Sequence, residues 1–279
     1  MTIREIDALI EEGSSLKQIA QAYSEIANLK IKRIRVEVER NRIFFNELSS
    51  IYALVKRLAV KKNIVIQKPK KRISLILTSN FRFYGNINST LIDFFTAKTA
   101  TIETDRIMLG KAAIDYFKAA KIFTNYHEVL LKGDQPEAEE LIALINMVKD
   151  YNQVLVFYSK LKTLLVQQPS VIDVTASYQN IKEDQKKEFR FIFEPELAKI
   201  LTFFDSSILT LLLEQTFLES EVSRTASRFI SMDQAETEAN KFIKEYEKLK
   251  AYTLKNLAGS RILENFASLM AVRKEDSYE

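Results

Sequence analysis

The sequence contains no cysteine and one histidine, and among its 279 residues only five are glycine and four are proline. Without cysteine the chain has neither disulfide bridges nor thiolate metal ligands. The single histidine, His127, has no second histidine or cysteine with which to form a zinc cluster or a catalytic triad, so we expect it on the surface or in a loop. Average usage is about 7% glycine and about 5% proline. The deficit therefore favours long, uninterrupted helices over a fold of many short strands.

Targeting and membrane-spanning patterns are also missing. The N-terminal segment is acidic and amphipathic, and it lacks the apolar run of a signal peptide and the Arg- and Ser-rich composition of a transit peptide. No stretch of about 18 uncharged apolar residues occurs, so we expect no membrane span. The net charge of +4 is a mild basic bias, below that of a dedicated nucleic-acid-binding domain. The simplest expectation is a soluble, cytoplasmic protein.

The N-terminal part of the chain predicts one long helix. No glycine or proline occurs from Leu16 to about Arg57, which corresponds to roughly 60 Å of helix at 1.5 Å per residue. Ser14 or Ser15 is suited to cap the start of this helix, and Gln18 stands in the capping-box position relative to Ser15.

Apolar residues in this first helix recur in alternating steps of four and three, at Ile19, Tyr23 and Ile26. Lys30 and Arg33 continue the track, and the aliphatic stems of such side chains can lie along a partner helix. The spacing predicts that this face packs against another helix in a left-handed coil.

The C-terminal part predicts a second long helix. Neither proline nor glycine occurs between Pro195 and Gly259, although residues 204–207 (Phe-Asp-Ser-Ser) have turn character. A heptad-like series follows at Ala239, Phe242, Tyr246, Leu249 and Thr253. Such spacing indicates a two-helix coiled coil, and an ordinary antiparallel hairpin within a helical bundle is the alternative that periodicity alone leaves open.

The centre of the chain has mixed character. Three apolar runs predict β-strands, at residues 73–78, 102–109 and 154–158, and helical patterns lie between them at 89–98, 111–121 and 137–151. Strands that alternate with helices favour a small, mostly parallel open sheet with helices on its faces. The polar segment 176–189 is expected to be an exposed loop or hairpin.

A βα unit requires a search for a nucleotide site. The turn after the first predicted strand, Ser79–Asn88, contains one glycine, which is too few for a dinucleotide fingerprint, and no Gly-Lys-Ser/Thr phosphate loop occurs. Acidic pairs such as Glu11-Glu12 and Glu139-Glu140 lie on amphipathic helices, where a solvated face is the expected role. We therefore predict no catalytic residue, no cofactor and no metal site.

A basic cluster between Lys56 and Arg72 contains eight lysines and arginines. Nucleic-acid binding through counterion release is one interpretation. Two observations argue against nucleic-acid binding. The stretch contains no aromatic residue for base stacking, and the positive and negative charges over the rest of the chain nearly balance. A solvated junction, or a face that meets acidic partners or lipid headgroups, is the preferred interpretation.

Several short strings occur in a family-specific order: Arg4–Ile6, Ile19–Tyr23, Ile26–Lys30, Thr78–Asn88, Leu109–Phe117, Val156–Leu161, Phe193–Pro195 and Ser223–Met232. This ordered set resembles the gamma subunit of F-type rotary ATP synthases and covers nearly the whole chain. In the central string Ser79, Gly85 and Asn88 match the family pattern. In the last string Arg228 and Met232 match. The family's final Arg-Gln…Ile-Thr-x-Glu string has no clear counterpart, so the resemblance is to a divergent member.

The resemblance implies an α+β fold in which N- and C-terminal long helices form an antiparallel coiled coil and a central Rossmann-like α/β domain forms a foot. The implied divisions are 1–62 for the N-terminal helix, 63–205 for the foot and 206–279 for the C-terminal helix. The implied function is that of a non-catalytic central rotor shaft, which couples rotation of a membrane ion-translocating ring to ATP synthesis or hydrolysis in a surrounding hexamer. A coiled-coil nucleic-acid-binding or scaffold protein that uses segment 56–72 is the alternative, and an α/β enzyme with helical extensions is a further one.

The implied partners are the alpha and beta ATPase subunits, the epsilon subunit and the membrane c-ring, at the cytoplasmic face of a bacterial membrane and without a span of its own. Contacts with the hexamer collar are expected at Lys30, Lys32, Arg33, Arg228 and Met232. Contacts of the foot with the ring are expected at two further positions, Gly85 and Asn88.

Overall fold

The computed structural model describes residues 1–61, 71–175 and 196–275. Its elements, in chain order, are α1 (Ile3–Lys61), β1 (Arg72–Leu77), α2 (Ile87–Thr99), β2 (Asp105–Leu109), α3 (Lys111–Ala120), β3 (His127–Val129), α4 (Ala138–Val148), β4 (Gln153–Thr163), β5 (Val166–Asp173) and α5 (Leu197–Glu275). The basic cluster from Lys56 to Arg72 lies outside the described side chains except for Lys71 and Arg72, which are exposed. The predicted loop 176–189 and the Phe193–Pro195 string lie outside the described residues.

The chain divides into two compact units. One unit consists of Met1–Glu25 and Ile230–Glu279, and the other of Ile26–Phe229. In the first unit α1 and α5 run antiparallel, since Asp7 forms an ion pair with Lys250 (2.7 Å) and the Gln21 side chain donates to that of Glu236 (2.7 Å).

The second unit, Ile26–Phe229, also contains an antiparallel pairing of α1 with α5. Ile34 of α1 packs with Leu218 and Val222 of α5 in a small buried cluster. Closer to the sheet, the Tyr52 hydroxyl donates to the Asp205 carboxylate at 2.6 Å. The predicted fold class, two long antiparallel helices with a central α/β domain, is confirmed.

The first helix begins earlier than predicted. Its start is at Ile3, where Thr2 and Glu5 cap reciprocally: the Glu5 amide donates to the Thr2 hydroxyl (3.3 Å) and the Thr2 amide donates to the Glu5 carboxylate (2.9 Å). The predicted start at Ser14 or Ser15 is wrong. Gly13 lies inside this helix. Glycine suits the position because an added Cβ would lie only 3.0 Å from the Phe242 ring of α5.

The buried face of α1 is shifted from the predicted one. Its buried positions include a series that recurs every seven residues, at Ile6, Gly13, Ala20, Ala27, Ile34 and Asn41. Further buried positions lie outside that series, at Ile31, Ser49, Tyr52 and Val55. Ile19 and Ile26, predicted to form the seam, are 54% and 58% exposed. Three successive members of the series, Gly13, Ala20 and Ala27, are small and allow close helix approach, while the larger Ile19 and Ile26 lie on the outer face.

The last helix is continuous. The predicted turn at 204–207 is wrong, because α5 runs unbroken from Leu197 to Glu275 and the Ser207 hydroxyl donates to the Phe203 carbonyl one turn earlier (2.8 Å). Of the predicted C-terminal series, Phe242 and Tyr246 are half-buried with ring centroids 4.5 Å apart, and Leu249 is exposed.

The sheet has five strands in the order β3-β2-β1-β4-β5, in which all neighbours are parallel except β4 and β5. The mostly parallel sheet is confirmed, but two strands escaped prediction. One is the three-residue edge strand β3, where His127 is exposed as predicted. The other is β5, the second arm of a hairpin with β4 that turns at Leu164 and Leu165.

Both faces of the sheet are covered. On one face Leu75, Leu77 and their neighbours join α4 and the sheet-proximal parts of α1 and α5 in a single buried cluster that includes Phe217. On the other face Ile76 and Phe157 pack against α2 and α3, where Phe95 and Phe117 meet edge to face at 6.0 Å. Each such buried side chain stabilises the fold by about 1.5–3 kcal/mol relative to an exposed one.

Among the described residues, α5 alone contains an 18-residue window long and apolar enough to cross a membrane by length and composition. The window lies within Lys199–Met270, its mean hydropathy is 1.2, and 44% of it is buried inside the protein. A core helix of a soluble protein meets the same criterion, so this property alone does not indicate a span.

Candidate functional site at the junction of the last helix and the sheet

The most polar buried region of the Ile26–Phe229 unit lies where α5 contacts the loops that follow β1 and β3. Asp134, which is 6% exposed, is its centre. The Asn80 amide donates to one oxygen of the Asp134 carboxylate (2.8 Å), and the Tyr84 hydroxyl donates to the other. From α5, the Arg224 guanidinium donates to the Asp134 carbonyl oxygen (2.9 Å). One residue thus connects α5 with the loop that follows β1.

Asn80 joins three segments of the sheet domain. Its side-chain amide donates to the carbonyls of Leu131 (2.7 Å) and Gly133 (2.6 Å), and its side-chain oxygen accepts from the Lys111 amide (2.9 Å). The end of β1 is therefore tied both to the loop before α4 and to the first residue of α3.

The close approach of β1 and α3 requires a glycine at position 110. Gly110 has a φ of +95°, a conformation that L side chains rarely adopt, and an added Cβ would overlap the Thr78 carbonyl. The Thr78 hydroxyl donates to the Leu109 carbonyl (2.9 Å) and accepts from the Ala113 amide (3.0 Å), which fixes the start of α3 against β1.

Two oppositely charged side chains lie on α5 within one turn and are both almost fully buried. Glu221 is 2% exposed and forms an ion pair with Lys30 of α1, and Arg224 is also 2% exposed. Burial of a charge is costly unless it is paired and hydrogen-bonded. The two contacts therefore fix α5 against α1 on one side and against the Asp134 loop on the other.

Arg228 and Ser227 extend the junction by one further turn. The Arg228 guanidinium lies 3.9 Å from the centroid of the Tyr84 ring and donates to the Arg82 carbonyl (3.1 Å), while the Ser227 hydroxyl donates to the Tyr84 carbonyl (2.7 Å). A cation over an aromatic ring contributes about 0.5–2 kcal/mol. Burial, followed by the negative charge of Asp134, raises the pKa of the Tyr84 hydroxyl well above its ordinary value. Tyr84 therefore remains a neutral donor.

The loop between Asn80 and Asn88 is held in an unusual backbone conformation. Phe83 has a φ of 67°, in the region that disfavours bulky residues, and Gly85 has a φ of 59°. Asn88 closes the loop, since its side chain accepts from the Ser79 amide (3.3 Å) and donates to the Ser79 hydroxyl (2.7 Å). The polar groups of this turn are thus used for internal bonds, which does not favour a nucleotide site here.

The predicted site residues fall at different places. Arg228 lies at the junction with the loop that contains Gly85 and Asn88, while Lys30 is committed to Glu221. Two further predicted collar residues, Lys32 and Arg33, are exposed on α1. Met232, in the other compact unit, is 9% exposed.

Sequence reasoning missed the residues that build the junction: Asn80, Tyr84, Asp134, Glu221 and Arg224. A signal for the last two exists, because they are charged residues that follow the strongly apolar stretch from Leu209 to Leu213 on the same helix. The other three are distant along the chain, and no local pattern connects them. The described residues contain no group of three His, Cys, Asp or Glu side chains able to hold a metal ion.

Comparison with known proteins shows which family the chain resembles. Residues 2–251 match the family model described as ATP synthase. The chain is 23% identical over 255 residues to the ATP synthase gamma chain of Pelotomaculum thermopropionicum. The aligned region covers 87% of this chain and 89% of the relative. The gamma chain of Stenotrophomonas maltophilia strain K279a is 22% identical over 255 residues, with 86% and 88% covered.

Solved structures resemble the fold. The central stalk and c-ring structure of Tetrahymena thermophila mitochondrial ATP synthase contains a chain with a TM-score of 0.59 and 17% identity, which covers 78% of this chain and 99% of that chain. In the rotor of the Euglena gracilis enzyme a chain has a TM-score of 0.58 and 14% identity, with 91% and 98% covered.

The long-helix architecture and the whole-chain match together define the class: this chain belongs to the ATP synthase family of the matching model. Within that family the two relatives named above are gamma chains, so the resemblance to the gamma subunit stated from the sequence is confirmed.

Proposed function

We propose that this chain is the central rotor shaft of an F-type rotary ATPase, which couples rotation of a membrane ion-translocating ring to ATP synthesis or hydrolysis in a surrounding hexamer. The proposal rests mainly on the match of residues 2–251 to the ATP synthase family. It is supported by a relative that is named a gamma chain and is aligned over 89% of its length. The antiparallel pairing of α1 with α5 within each compact unit is the architecture that such a shaft requires.

The junction described above supplies the mechanical connection that this function needs. Torque applied to α5 must reach the sheet domain without slippage. Arg224, Ser227 and Arg228 are spaced along about one turn of α5, and they bond to Asp134, Tyr84 and Arg82 of the sheet domain. Several simultaneous bonds from a rigid helix to a packed domain resist both rotation and sliding of the helix, because all must break together.

We propose that the collar is contacted by the outer face of α1. Leu29, Val36 and Ile43 recur every seven residues on this helix and are 66%, 71% and 53% exposed. Large apolar side chains in contiguous exposed patches indicate an interaction surface. Lys32 and Arg33 lie between them and would meet acidic groups, so alpha and beta ATPase subunits are the proposed partners of this face.

The remaining assignments complete the proposal. Arg228 and Met232 stay proposed collar contacts, with Lys30 acting mainly through Glu221. Gly85 and Asn88 are proposed to position the foot toward the epsilon subunit and the c-ring. We retain the division into 1–62, 63–205 and 206–279 as a functional proposal, with the chain itself non-catalytic and peripheral at the cytoplasmic face of a bacterial membrane.

Rotation couples to chemistry through unequal contacts. A shaft with different side chains on different faces binds each catalytic subunit differently, and a partner shifts a conformational equilibrium only by its differential affinity for the two states. The apolar outer face of α1 supplies such asymmetry, because it occupies one side of the helix only.

Copurification tests the assignment. A tagged chain expressed in its own host is expected to recover an ATPase hexamer and a membrane ring in stoichiometric amounts, since the proposed shaft contacts both. Recovery of the tagged chain without ATPase subunits, or with nucleic acid near 150 mM salt, would exclude the rotor assignment.

A further inference from the structure

A cavity of about 590 Å³ lies among α1, α4 and α5, the three helices that cover one face of the sheet. Its volume is within the range of roughly 300–1,000 Å³ that is typical of small-molecule sites. All of the residues that line it belong to the Ile26–Phe229 unit. The cavity is distinct from the junction around Asp134, because none of its lining residues forms the hydrogen bonds described there.

The inner wall of the cavity is mainly apolar. Leu211, Phe217 and Leu218 of α5 are buried there, and Leu141 of α4 is half-buried. Removal of apolar surface from water is the main favourable contribution that such a wall offers. A ligand that uses this wall therefore has an apolar body.

Asn41 of α1 provides an independent indication of a ligand. It lines the cavity and is 9% exposed. Its side-chain oxygen is buried and has no hydrogen-bond partner among the described residues, whereas buried polar atoms are normally paired. The terminal torsion of an asparagine side chain is broad, so this oxygen can turn to meet a donor in the cavity. An unpaired acceptor at an apolar cavity is explained by a ligand that donates a hydrogen bond to it.

The charges at the cavity determine which donor fits. Two carboxylates, those of Glu37 and Glu214, and one guanidinium, that of Arg40, line it. Within the described part of the chain none of the three forms an ion pair. The excess of one negative charge favours a cation and disfavours an anion. An ammonium group meets both requirements, because it carries a positive charge and has three hydrogen-bond donors.

We propose that this cavity binds a small amphipathic amine. The apolar body of the amine lies against the α5 wall, and its ammonium group donates to the Asn41 side-chain oxygen and is attracted by Glu37 and Glu214. The site is built from this chain alone and goes beyond the rotor assignment, so either proposal can fail without the other.

The test is a titration of the full-length chain, with ¹³C-labelled leucine methyl groups, with phenylbutylamine at neutral pH and constant ionic strength. Saturable shifts of the Leu141, Leu211 and Leu218 methyl resonances are expected. The resonances of Leu91, which is buried on the opposite face of the sheet, are expected to stay unchanged. Phenylbutyrate has the same ring and a negative charge, and it is expected to bind at least about tenfold more weakly. Equal affinity for the two compounds, or shifts that grow linearly without saturation, would overturn the proposal.

Variants of the lining locate the ammonium group. Asn41→Leu is expected to weaken amine binding about tenfold, the usual effect of losing one hydrogen bond to a charged group. Its thermal stability is expected to be unchanged or higher, because the variant removes a buried oxygen that has no partner. Unchanged amine affinity in the folded variant would overturn the proposal.

A matched pair of charge variants gives a second readout that does not depend on the core. Glu214→Gln removes an exposed carboxylate of the lining and is expected to weaken amine binding about twofold to fivefold. Glu103→Gln makes the same charge change at an exposed position in the loop before β2, outside the lining, and is expected to bind like the unaltered chain. Equal amine affinity of these two variants would contradict the site.

Discussion

The guanidinium of Arg224 on α5 donates a hydrogen bond of 2.9 Å to the backbone carbonyl of Asp134, 90 residues earlier in the chain. The two residues are 2% and 6% exposed. A charged side chain is thus used inside the protein to join the last helix to a loop of the sheet domain. This contact, together with those of Ser227 and Arg228, is the physical basis for treating α5 and the sheet as mechanically connected.

Replacement of Arg224 by methionine is expected to lower the free energy of unfolding by about 3 kcal/mol, because the Asp134 carboxylate and carbonyl then stay buried without their cationic neighbour. Urea unfolding of the isolated chain measures the change. Arg33→Met is the control, since Arg33 is exposed on α1, and a change within about 0.5 kcal/mol is expected there. Equal stability of the two variants would show that the junction contributes nothing.

Gly110 and Gly259 form a matched pair for substitution by alanine. At Gly110 the positive φ and the overlap with the Thr78 carbonyl predict a loss of about 2 kcal/mol or more. At Gly259, inside α5, no atom lies within 4 Å of the added Cβ. Alanine there is expected to stabilise the helix by about 0.5–1 kcal/mol. Thermal unfolding of both variants checks the opposite signs, and a stable Gly110→Ala protein contradicts the backbone assignment.

Lys30 and Arg33 are expected to separate stability from function. Lys30→Ala leaves the buried Glu221 carboxylate unpaired. It should cost about 1–3 kcal/mol, toward the lower end because the lysine is itself partly exposed. Arg33→Glu should leave the stability of the isolated chain nearly unchanged but lower coupled ATPase turnover in the assembled complex. Unchanged turnover in Arg33→Glu would remove Arg33 from the collar contacts.

The decline of the free energy of unfolding at alkaline pH should depend on the ionisation of Tyr151. Its hydroxyl donates to the Asp105 carboxylate (2.7 Å), and this bond, with burial as the second cause, raises the pKa of Tyr151 from 10.0 to about 12. Because the folded pKa is raised, the contribution is complete below pH 10 and is lost as pH rises from about 10 to 12. Chemical unfolding across that window should show a shallower decline for Tyr151→Phe. Identical slopes for the two proteins would contradict the bond.

The sequence predicts the architecture of helices and strands better than it predicts the contacts between side chains. Long segments free of glycine and proline predicted both helices, and the apolar runs at 73–78 and 154–158 predicted the central strands. The predicted seam of α1 is wrong because the periodicity assigns the larger apolar residues, such as Ile19 and Ile26, to the buried face. The structure instead buries Ala20 and Ala27, whose small size permits close helix approach.

Local sequence patterns do not predict the junction between α5 and the sheet domain. Asn80 and Asp134 are 54 residues apart, and Tyr84 and Ser227 are 143 apart. Only the tertiary fold brings these groups together, so no spacing rule connects them. Gly110 illustrates the same limit, since its requirement for glycine arises from a strand that lies more than 30 residues earlier. Family resemblance supplied what periodicity did not, namely the role of the helices.

Single-molecule rotation tests the central claim most directly. The chain is assembled with its own ATPase hexamer, the hexamer is fixed to a surface, and a bead is attached to the sheet domain through a cysteine introduced at exposed Lys98, which is selective because the chain has no other cysteine. The rotor assignment predicts unidirectional, stepwise rotation of the bead when ATP is added, and its loss when ATP is withheld. Steady ATP hydrolysis by a complex that retains the chain but leaves the bead stationary would contradict it.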